Sequence, residues 1–440
     1  VRGVANAELT PEIVLALGRA AARVLGADRF LVGRDTRVSG ALIQAALSVG
    51  LMAEGVAVAD VGVLPTPGVA WLSVADGDPA AVISASHNPF HDNGVKFFAA
   101  GGRKLSDEVE ARLEAELDRL LEVTPGGTHP VVPVVGAAVG SVAANDGRQR
   151  YVDGMVGVLG AGALAGLTLV LDCAHGAASA VAPEVFRRLG ATVHVLHDAP
   201  DGRNINDGCG STHPEALQAE VVARGADVGL AFDGDADRVL AVDGAGNLVD
   251  GDHLIALLAL DRKAGGRLPE DTVVVTVMAN LGFRQAMRQA GITMVETDVG
   301  DRYVLEAMEK GGWTLGGEQS GHVIFRDLAT TGDGILTGLQ VLDVMVRSGR
   351  SLAELASVVE RLPQVLRNVA IAPGRPLGGE RDLAAAIADV EAGLGDAGRV
   401  LVRASGTEPV IRVMVEAETM EAAEAATRTL CDAVTRALGS

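Results

Sequence analysis

The sequence predicts an α/β protein built from three similar αβ domains with mixed, mainly parallel sheets, followed by a smaller C-terminal α+β domain. Three observations carry this. Helix-period and strand-like segments alternate from Thr10 to Leu315, the pattern changes after Ser351, and 440 residues are too many for one hydrophobic core. The order of elements sets boundaries at 1–137, 138–244, 245–351 and 352–440.

In the first domain, Thr10-Pro11-Glu12 starts a helix with a hydroxyl N-cap and Pro at the first helical position. Ile13, Leu17, Ala20 and Val24 then form one apolar stripe. A strand at Phe30 to Val32, a helix from Ser39 to Glu54, a strand near Val56 to Ala59, a helix near Val69 to Val74 and a strand Ala81 to Ser84 continue the alternation. Gly94 to Phe98 reads as a further strand, and the acidic first turn of Ser106 to Glu122 marks a closing helix. Thr124 to Asp146 is rich in Pro, Gly, Val and Ala and reads as a linker.

The second domain has strands at Leu167 to Leu171, Ala191 to Leu196 and Asp227 to Phe232, with helices near Ala180 to Leu189 and Pro214 to Arg224. The third has helices His253 to Arg262, Leu281 to Ala290 and Tyr303 to Glu309 between strands Thr272 to Val277, Ile292 to Glu296 and Trp313 to Leu315. The last domain reads as helix, strand, strand, helix. Its strands are Val400 to Arg403 and Val410 to Glu416, and its final helix is Met420 to Leu438.

Composition removes several classes of function. With 37 Lys and Arg against 57 Asp and Glu the formal charge is −20, which opposes general binding to nucleic acid or anionic membrane and leaves room for a local basic pocket. Gly is abundant, at 56 residues, and aromatics make up 3%, so the cores are expected to be Ala, Val and Leu with many tight loops. Cys173, Cys209 and Cys431 are scattered and fit a reducing cytoplasm rather than a disulfide framework or zinc knuckle. The start at Val1-Arg2-Gly3 has neither Met nor an apolar signal region and reads as trimmed rather than secreted. Gly154 to Leu171 is uncharged, but its five glycines and strand-like end read as a soluble loop before a buried strand, not a membrane span.

Four loops can carry chemistry. Ser84-Ala85-Ser86-His87-Asn88-Pro89 leaves a buried strand in a bent turn, at the carboxyl end where open αβ sheets bind ligands. A nucleophilic serine and an ordinary polar turn both fit it, and no G-x-S-x-G elbow surrounds it. Asp233-Gly234-Asp235-Ala236-Asp237-Arg238 sets three carboxylates at alternate positions after an apolar strand, a hard-oxygen set suited to Mg²⁺ or Ca²⁺. An EF-hand would need Gly and Glu where Arg238 and Gly244 stand, and a haloacid-dehalogenase-type phosphatase would usually have Thr or Val at Asp237. Gly316-Gly317-Glu318-Gln319-Ser320-Gly321-His322 offers an acceptor, a hydroxyl and an imidazole suited to a sugar, or is a Gly-rich turn with incidental polar groups. Arg403-Ala404-Ser405-Gly406-Thr407-Glu408-Pro409, with Arg412 beyond, has the make-up of an anion nest, though a plain hairpin turn fits too. Gly160, Gly162 and Gly166 lack dinucleotide-binding spacing, and His129, His175, His194, His197, His213 and His253 belong to no constellation.

Together the four loops suggest phosphoryl transfer on a phosphorylated sugar. The set S-A-S-H-N-P, D-G-D-A-D-R, G-E-Q-S-G-H and R-A-S-G-T-E-P, in this order, resembles the α-D-phosphohexomutase superfamily along the whole chain. Gln319 and the Gly300-Asp301-Arg302 segment most resemble its bacterial phosphoglucosamine mutase branch. The resemblance implies four domains around a central cleft and a phosphorylated Ser86. Asp233, Asp235 and Asp237 would bind Mg²⁺, which also contacts the seryl group. Glu318 and Ser320 would bind sugar hydroxyls. Arg403, Ser405, Gly406, Thr407 and Arg412 would hold the non-reacting phosphate.

Lys96 and His322 would then be acid–base candidates, His87 and Arg238 would support the reacting phosphate, and Arg2 would line the cleft. The implied reaction interconverts glucosamine 6-phosphate and glucosamine 1-phosphate through a 1,6-bisphosphate, a step toward UDP-N-acetylglucosamine and cell-wall precursors. A hexosamine or glucose 1,6-bisphosphate would serve as activator. The implied partner is a phosphosugar, and the implied state a monomer or homodimer. A phosphomannomutase or phosphoglucomutase, a metal-dependent sugar phosphatase and a non-catalytic sugar-phosphate binder are the competing readings.

Overall fold

A computed structural model describes residues 1–122, 134–371, 381–404 and 410–438. These form two compact units, one of Val1–Val277 with Thr293–Ser357 and one of Met278–Ile292 with Val358–Ser440.

The larger unit holds three sheets in series. In the first, Ala80–Ile83, Arg29–Arg34, Ala57–Val63 and Val142–Ala144 are parallel neighbours. Asp92–Ala99 runs antiparallel to Ala80–Ile83, Arg2–Val4 and Arg103–Lys104 both pair with Asp92–Ala99, and the sheet is therefore mixed as expected. Its edge strand Val142–Ala144 comes from beyond residue 137, within the stretch read as a linker. The second sheet runs Leu248–Val249, Val239–Asp243, Val228–Phe232, Thr168–Asp172, Thr192–Leu196. The third runs Thr293–Thr297, Thr272–Thr276, Leu315–Gly317, Val323–Phe325. In both, a parallel core carries antiparallel strands on one side.

Those antiparallel strands are the main element the sequence reading missed. Val239–Asp243 is buried throughout and reads V-L-A-V-D, with no alternation to mark it as a strand. Their consequence is functional: the Asp233 and Glu318 loops are the turns of two antiparallel pairs, so both ends of each loop are fixed by a sheet.

A helix at Gly147–Leu159 corrects the reading of Gly154 to Leu171 as loop and strand. Glycine lowers helix propensity, but here tertiary packing overrides it. A Cβ on Gly154 would stand 2.6 Å from the Trp71 ring, so the helix approaches its neighbour only because that residue is Gly. The helix Gly334–Ser348 was also unanticipated. Asp333 caps it, accepting from Leu336 N at 2.9 Å, and Tyr151 Oη donates to the same carboxylate at 2.7 Å.

In the smaller unit, Gln364–Ala370, Val410–Glu416 and Arg399–Ala404 form an antiparallel sheet in that order. Helices Arg381–Leu394 and Met420–Leu438 cover it through Leu383, Ile411, Val413, Val415, Leu430 and Val434. The α+β character is as expected: Arg381–Leu394, Arg399–Ala404, Val410–Glu416 and Met420–Leu438 follow the order helix, strand, strand, helix, and the strand Gln364–Ala370 before them is additional. Among the described residues no helix is long and apolar enough to cross a membrane.

Burial raises the Asp333 carboxyl to about 6, against the hydrogen bonds from Leu336 and Tyr151 that lower it. Because the folded state then binds this proton more tightly than the unfolded chain, the Asp333 contribution to stability is complete below about pH 4 and is lost as pH rises from about 4 to 6, by roughly 3 kcal/mol. Asp333→Asn, which keeps a capping oxygen, is expected to flatten this part of the melting-temperature-versus-pH profile.

Candidate active site

Strand Ala80–Ile83 is wholly buried, and its continuation turns sharply at Ser86, whose φ is +53°. A non-glycine residue rarely adopts this conformation, and it persists only where neighbours hold it. Ser84 Oγ accepts from Ser86 N at 2.9 Å. Arg37, 1% exposed, donates to the carbonyls of Ser86 and Asn88 at 2.9 and 2.8 Å, to Asp92 at 3.1 Å, and to Pro89. Asn206, from the second domain, donates to the same Ser86 and Asn88 carbonyls at 2.9 and 3.1 Å. Asp35 in turn holds Arg37, accepting from its Nε at 2.8 Å and from its backbone N at 3.0 Å.

This clamp aims Ser86 Oγ at Asp233, to which it donates at 2.6 Å. The two loops touch because Gly234 has no side chain: a Cβ there would stand 2.6 Å from Ser86 O and 2.8 Å from Asn206 Nδ2. Asp233 and Asp235 are fully buried and Asp237 is nearly so, and carboxylate oxygens of all three lie within 4.8 Å of one another. Thr66 Oγ1 donates to Asp235 Oδ2 at 2.6 Å, and Lys96 Nζ stands 2.8 Å from that oxygen and 3.6 Å from Asp237 Oδ2.

The triad has the donor set of a hard divalent cation. Asp235 Oδ1 and Asp237 Oδ1 are buried with no hydrogen-bond partner among the described residues, oxygens that a cation would satisfy. The local charges also differ. Burial and the neighbouring Asp237 and Asp235 carboxylates push Asp233 well above the usual carboxylate range. Burial acts on Asp237 in the same sense, but Lys96, His322 and Arg238 outweigh it and hold that carboxyl well below.

A cavity of about 570 Å³ opens beside the triad. Of the residues expected at the site, Arg2, Ser86, Lys96, Asp237, Arg238, Glu318 and His322 all line it, drawn from three domains and separated by up to some 320 positions of sequence. His87 sits at the loop surface, its Nδ1 3.5 Å from Ser86 Oγ and 3.3 Å from an Arg238 nitrogen. Burial of the ring, with Arg238 and Arg2 nearby, lowers its pKa, so it is neutral at neutral pH. Ser320 is exposed and is not among the lining residues. Ser405, Gly406 and Thr407 lie outside the described residues. The strands flanking them set Arg403 directly opposite Arg412, a concentration of positive charge of the kind that receives a phosphate.

His322 is 2% exposed, and both ring nitrogens face protein. Gly332 N donates to Nε2 at 3.2 Å, and Nδ1 lies 3.7 Å from Asp237. Nε2 also lies 3.6 Å from Asp301. That carboxyl is lowered to about 2: burial would raise it, and His322 and Lys104 outweigh burial. Lys104 donates to Asp301, and Arg302 pairs with Asp107 at 2.5 Å, so the rim of the cavity is tied across the first and third domains.

Arg37, Thr66, Lys104 and Asn206 are contributors that the sequence reading passed over. The segments Asp35-Thr36-Arg37 and Asn204-Ile205-Asn206 carry no spacing pattern, and only the fold reveals that they meet Ser86. Replacing Arg37 with Met would leave Asp35 unpaired and the loop carbonyls undersatisfied. A loss of about 3–5 kcal/mol in urea unfolding is expected, with Arg37→Lys recovering only part because an ammonium lacks the planar fork.

Comparison with known proteins agrees with this architecture. The chain matches the models for phosphoglucomutase/phosphomannomutase α/β/α domain I at residues 1–123, domain II at 149–246, domain III at 250–362, and the C-terminal domain at 352–433. Curated relatives described as phosphoglucosamine mutase include one from Streptomyces griseus, 54% identical over all of this chain and 98% of its own length. Another, from Rhodococcus jostii, is 52% identical over 96% of this chain and 95% of its own. Among solved structures, a phosphoglucomutase/phosphomannomutase family protein from Burkholderia thailandensis superposes with a TM-score of 0.79 at 26% identity, covering 100% of this chain and 98% of that one. An N-acetylphosphoglucosamine mutase from Aspergillus fumigatus, described in complex with GlcNAc-6P and magnesium, has a TM-score of 0.68 over 100% and 95% of the two chains. At 19% identity that likeness is one of fold. With all four domains matched in order, the chain belongs to the phosphoglucomutase/phosphomannomutase family.

Proposed function

We propose that this protein is a phosphoglucosamine mutase, interconverting glucosamine 6-phosphate and glucosamine 1-phosphate through a phosphoserine at Ser86 and a 1,6-bisphosphate. The observation that carries the reading is the 2.6 Å contact between Ser86 Oγ and Asp233 Oδ2, at the wall of a cavity where Arg2, Lys96 and Arg238 stand beside Glu318. The substrate class follows from the curated relatives, whose identity of 52–54% spans nearly the whole chain.

In the forward half-reaction the free hydroxyl oxygen of the sugar phosphate attacks the phosphorus on Ser86. The bond from phosphorus to Ser86 Oγ breaks, and the proton given up by the sugar hydroxyl is balanced by one taken up at Ser86 Oγ. In the return half-reaction Ser86 Oγ gives up that proton and attacks the other phosphoryl group of the bisphosphate, the bond from phosphorus to the sugar oxygen breaks, and that oxygen takes up a proton to become the hydroxyl. The phosphoryl count is unchanged, so water must be excluded and the bisphosphate must reorient between the two halves.

Lys96 and Arg238 place positive charge beside the transferring oxygens, and His87 supports them from the loop. Burial would lower the Lys96 pKa, but Asp235 and Asp237 raise it well above the usual lysine value, so we place its ammonium as the proton donor to the leaving oxygen. His322, its nitrogens turned to Gly332 and Asp237, acts as a positioning residue. Glu318 binds sugar hydroxyls, and Ser320 is assigned a role only as the sugar enters. On the smaller unit, Arg403 and Arg412, with Ser405, Gly406 and Thr407 between them, take a phosphate. Asp233, Asp235, Asp237 and the Ser86 oxygen would hold Mg²⁺, which would offset charge building on the transferred group.

Incubation with glucose 1,6-bisphosphate followed by peptide mass spectrometry is expected to find one phosphoryl group, on Ser86. Ser86→Ala should lose turnover by a factor of at least about 10³ while keeping the melting temperature. An unmodified Ser86 in an active enzyme would overturn the mechanism.

Chelator treatment should abolish turnover and Mg²⁺ should restore it. Among glucosamine, glucose and mannose 6-phosphates the first should have the highest kcat/KM. Faster turnover of mannose 6-phosphate would replace the substrate assignment with phosphomannomutase, and release of inorganic phosphate without isomer would replace it with phosphatase.

A further inference from the structure

Outside the cavity, a second group of ligand-type side chains gathers at the ends of strands in the second domain. Asp172 closes strand Thr168–Asp172, His197 follows strand Thr192–Leu196, and Cys209 lies in the loop that leads to Gly210. One ligand atom from each lies within 4.8 Å of the other two. In a tetrahedral zinc site, bond lengths of about 2.0–2.3 Å place ligands roughly 3.4–3.8 Å apart, so small side-chain adjustments suffice.

The hydrogen bonding points to a shared centre. His197 Nδ1 is 3.0 Å from Asp172 Oδ2, yet this buried nitrogen has no aligned hydrogen-bond partner among the described residues. Imidazole and carboxylate are therefore adjacent without being engaged in a hydrogen bond with each other. His175 packs its ring edge-on to His197, with centroids 5.2 Å apart, and its buried Nδ1 likewise has no hydrogen-bond partner among the described residues.

Asp172 is meanwhile oriented as a metal ligand usually is, by backbone donors from Ala174 at 2.9 Å and Gly210 at 2.9 Å. Asp172 and Cys209 are fully buried, and although the His197 side chain is 27% exposed its Nδ1 is turned inward toward them.

We propose that Asp172, His197 and Cys209 form a second metal site, distinct from the aspartate triad, that takes a borderline-soft divalent cation of the zinc class. The mixed sulfur, nitrogen and oxygen donors select this class over Mg²⁺.

The site is wired to the Ser86 loop. His175 N donates to His197 O at 2.6 Å, and Thr36 Oγ1, next to Arg37, donates to His175 O at 2.6 Å. Asn206 N donates to Ala174 O at 3.0 Å while its side chain holds Ser86 O, and Ala177 N donates to Gly234 O at 2.8 Å. Occupation would therefore stiffen the segment that supports both the serine and aspartate loops.

The test uses full-length protein freed of metal and saturated with Mg²⁺. On adding Co²⁺, the wild type is expected to show thiolate-to-cobalt charge transfer and tetrahedral visible bands, both removed by one equivalent of Zn²⁺. Cys209→Ser should lose the charge-transfer band, His197→Ala should weaken Zn²⁺ binding at least tenfold, and Cys173→Ala should retain the spectrum. Circular dichroism confirms that each variant is folded. No thiolate band in the wild type, or a band that survives Cys209→Ser, would overturn the proposal.

Discussion

Everything at the site depends on keeping a serine hydroxyl against a buried carboxylate that belongs to another domain. Ser86 and Asp233 are 147 positions apart in sequence and 2.6 Å apart in space. Neither loop could hold that approach unaided. Ser86 sits in a left-handed conformation costing about 1–3 kcal/mol, and three carboxylates crowd a volume with little water. The compensation is a set of fixed cations and amides. Arg37 and Asn206 satisfy the loop carbonyls, and Lys96, Arg238 and His322 surround the acids.

Charge explains why the acids remain soluble in their own site. The protein's formal charge of −20 describes its surface, whereas five cationic side chains, among them Arg2, Lys96 and Arg238, line the cavity together with five carboxylates. An anionic sugar phosphate can therefore pair with fixed cations inside a negative molecule, while nucleic acid or anionic membrane meets the net field. The three aspartates then serve a separate end, since their unsatisfied oxygens suit a cation rather than the substrate.

The sequence made much of this legible, for a local reason. A buried parallel strand is a short apolar run, and the loop at its carboxyl end is open to ligand, so Ser84–Pro89 and Asp233–Arg238 are marked by their immediate neighbours. The reading failed where the determining contacts are long-range. Val239–Asp243 is an antiparallel addition with no alternation, and Gly147–Leu159 is a helix in which Gly154 serves packing against Trp71. Arg37 resembles any surface arginine until the fold buries it among four carbonyls. His322 stood out as titratable, yet its partners turn it toward Asp237 and Gly332, a distinction invisible in Gly-His-Val.

The abundance of glycine and scarcity of aromatics acquire a mechanical meaning from this arrangement. Side chains are small where loops and helices meet, so backbone approaches backbone, as at Gly234 against Ser86 O. Close backbone contact lets short, rigid hydrogen bonds join domains, in place of adaptable apolar surfaces. Such a joint tolerates little displacement: a Cβ at Gly234 would have to part the two loops, and Ser86 Oγ would lose Asp233. Precision at the nucleophile therefore follows from composition, because a chain richer in bulky residues could bury as much surface without bringing these two backbones so close.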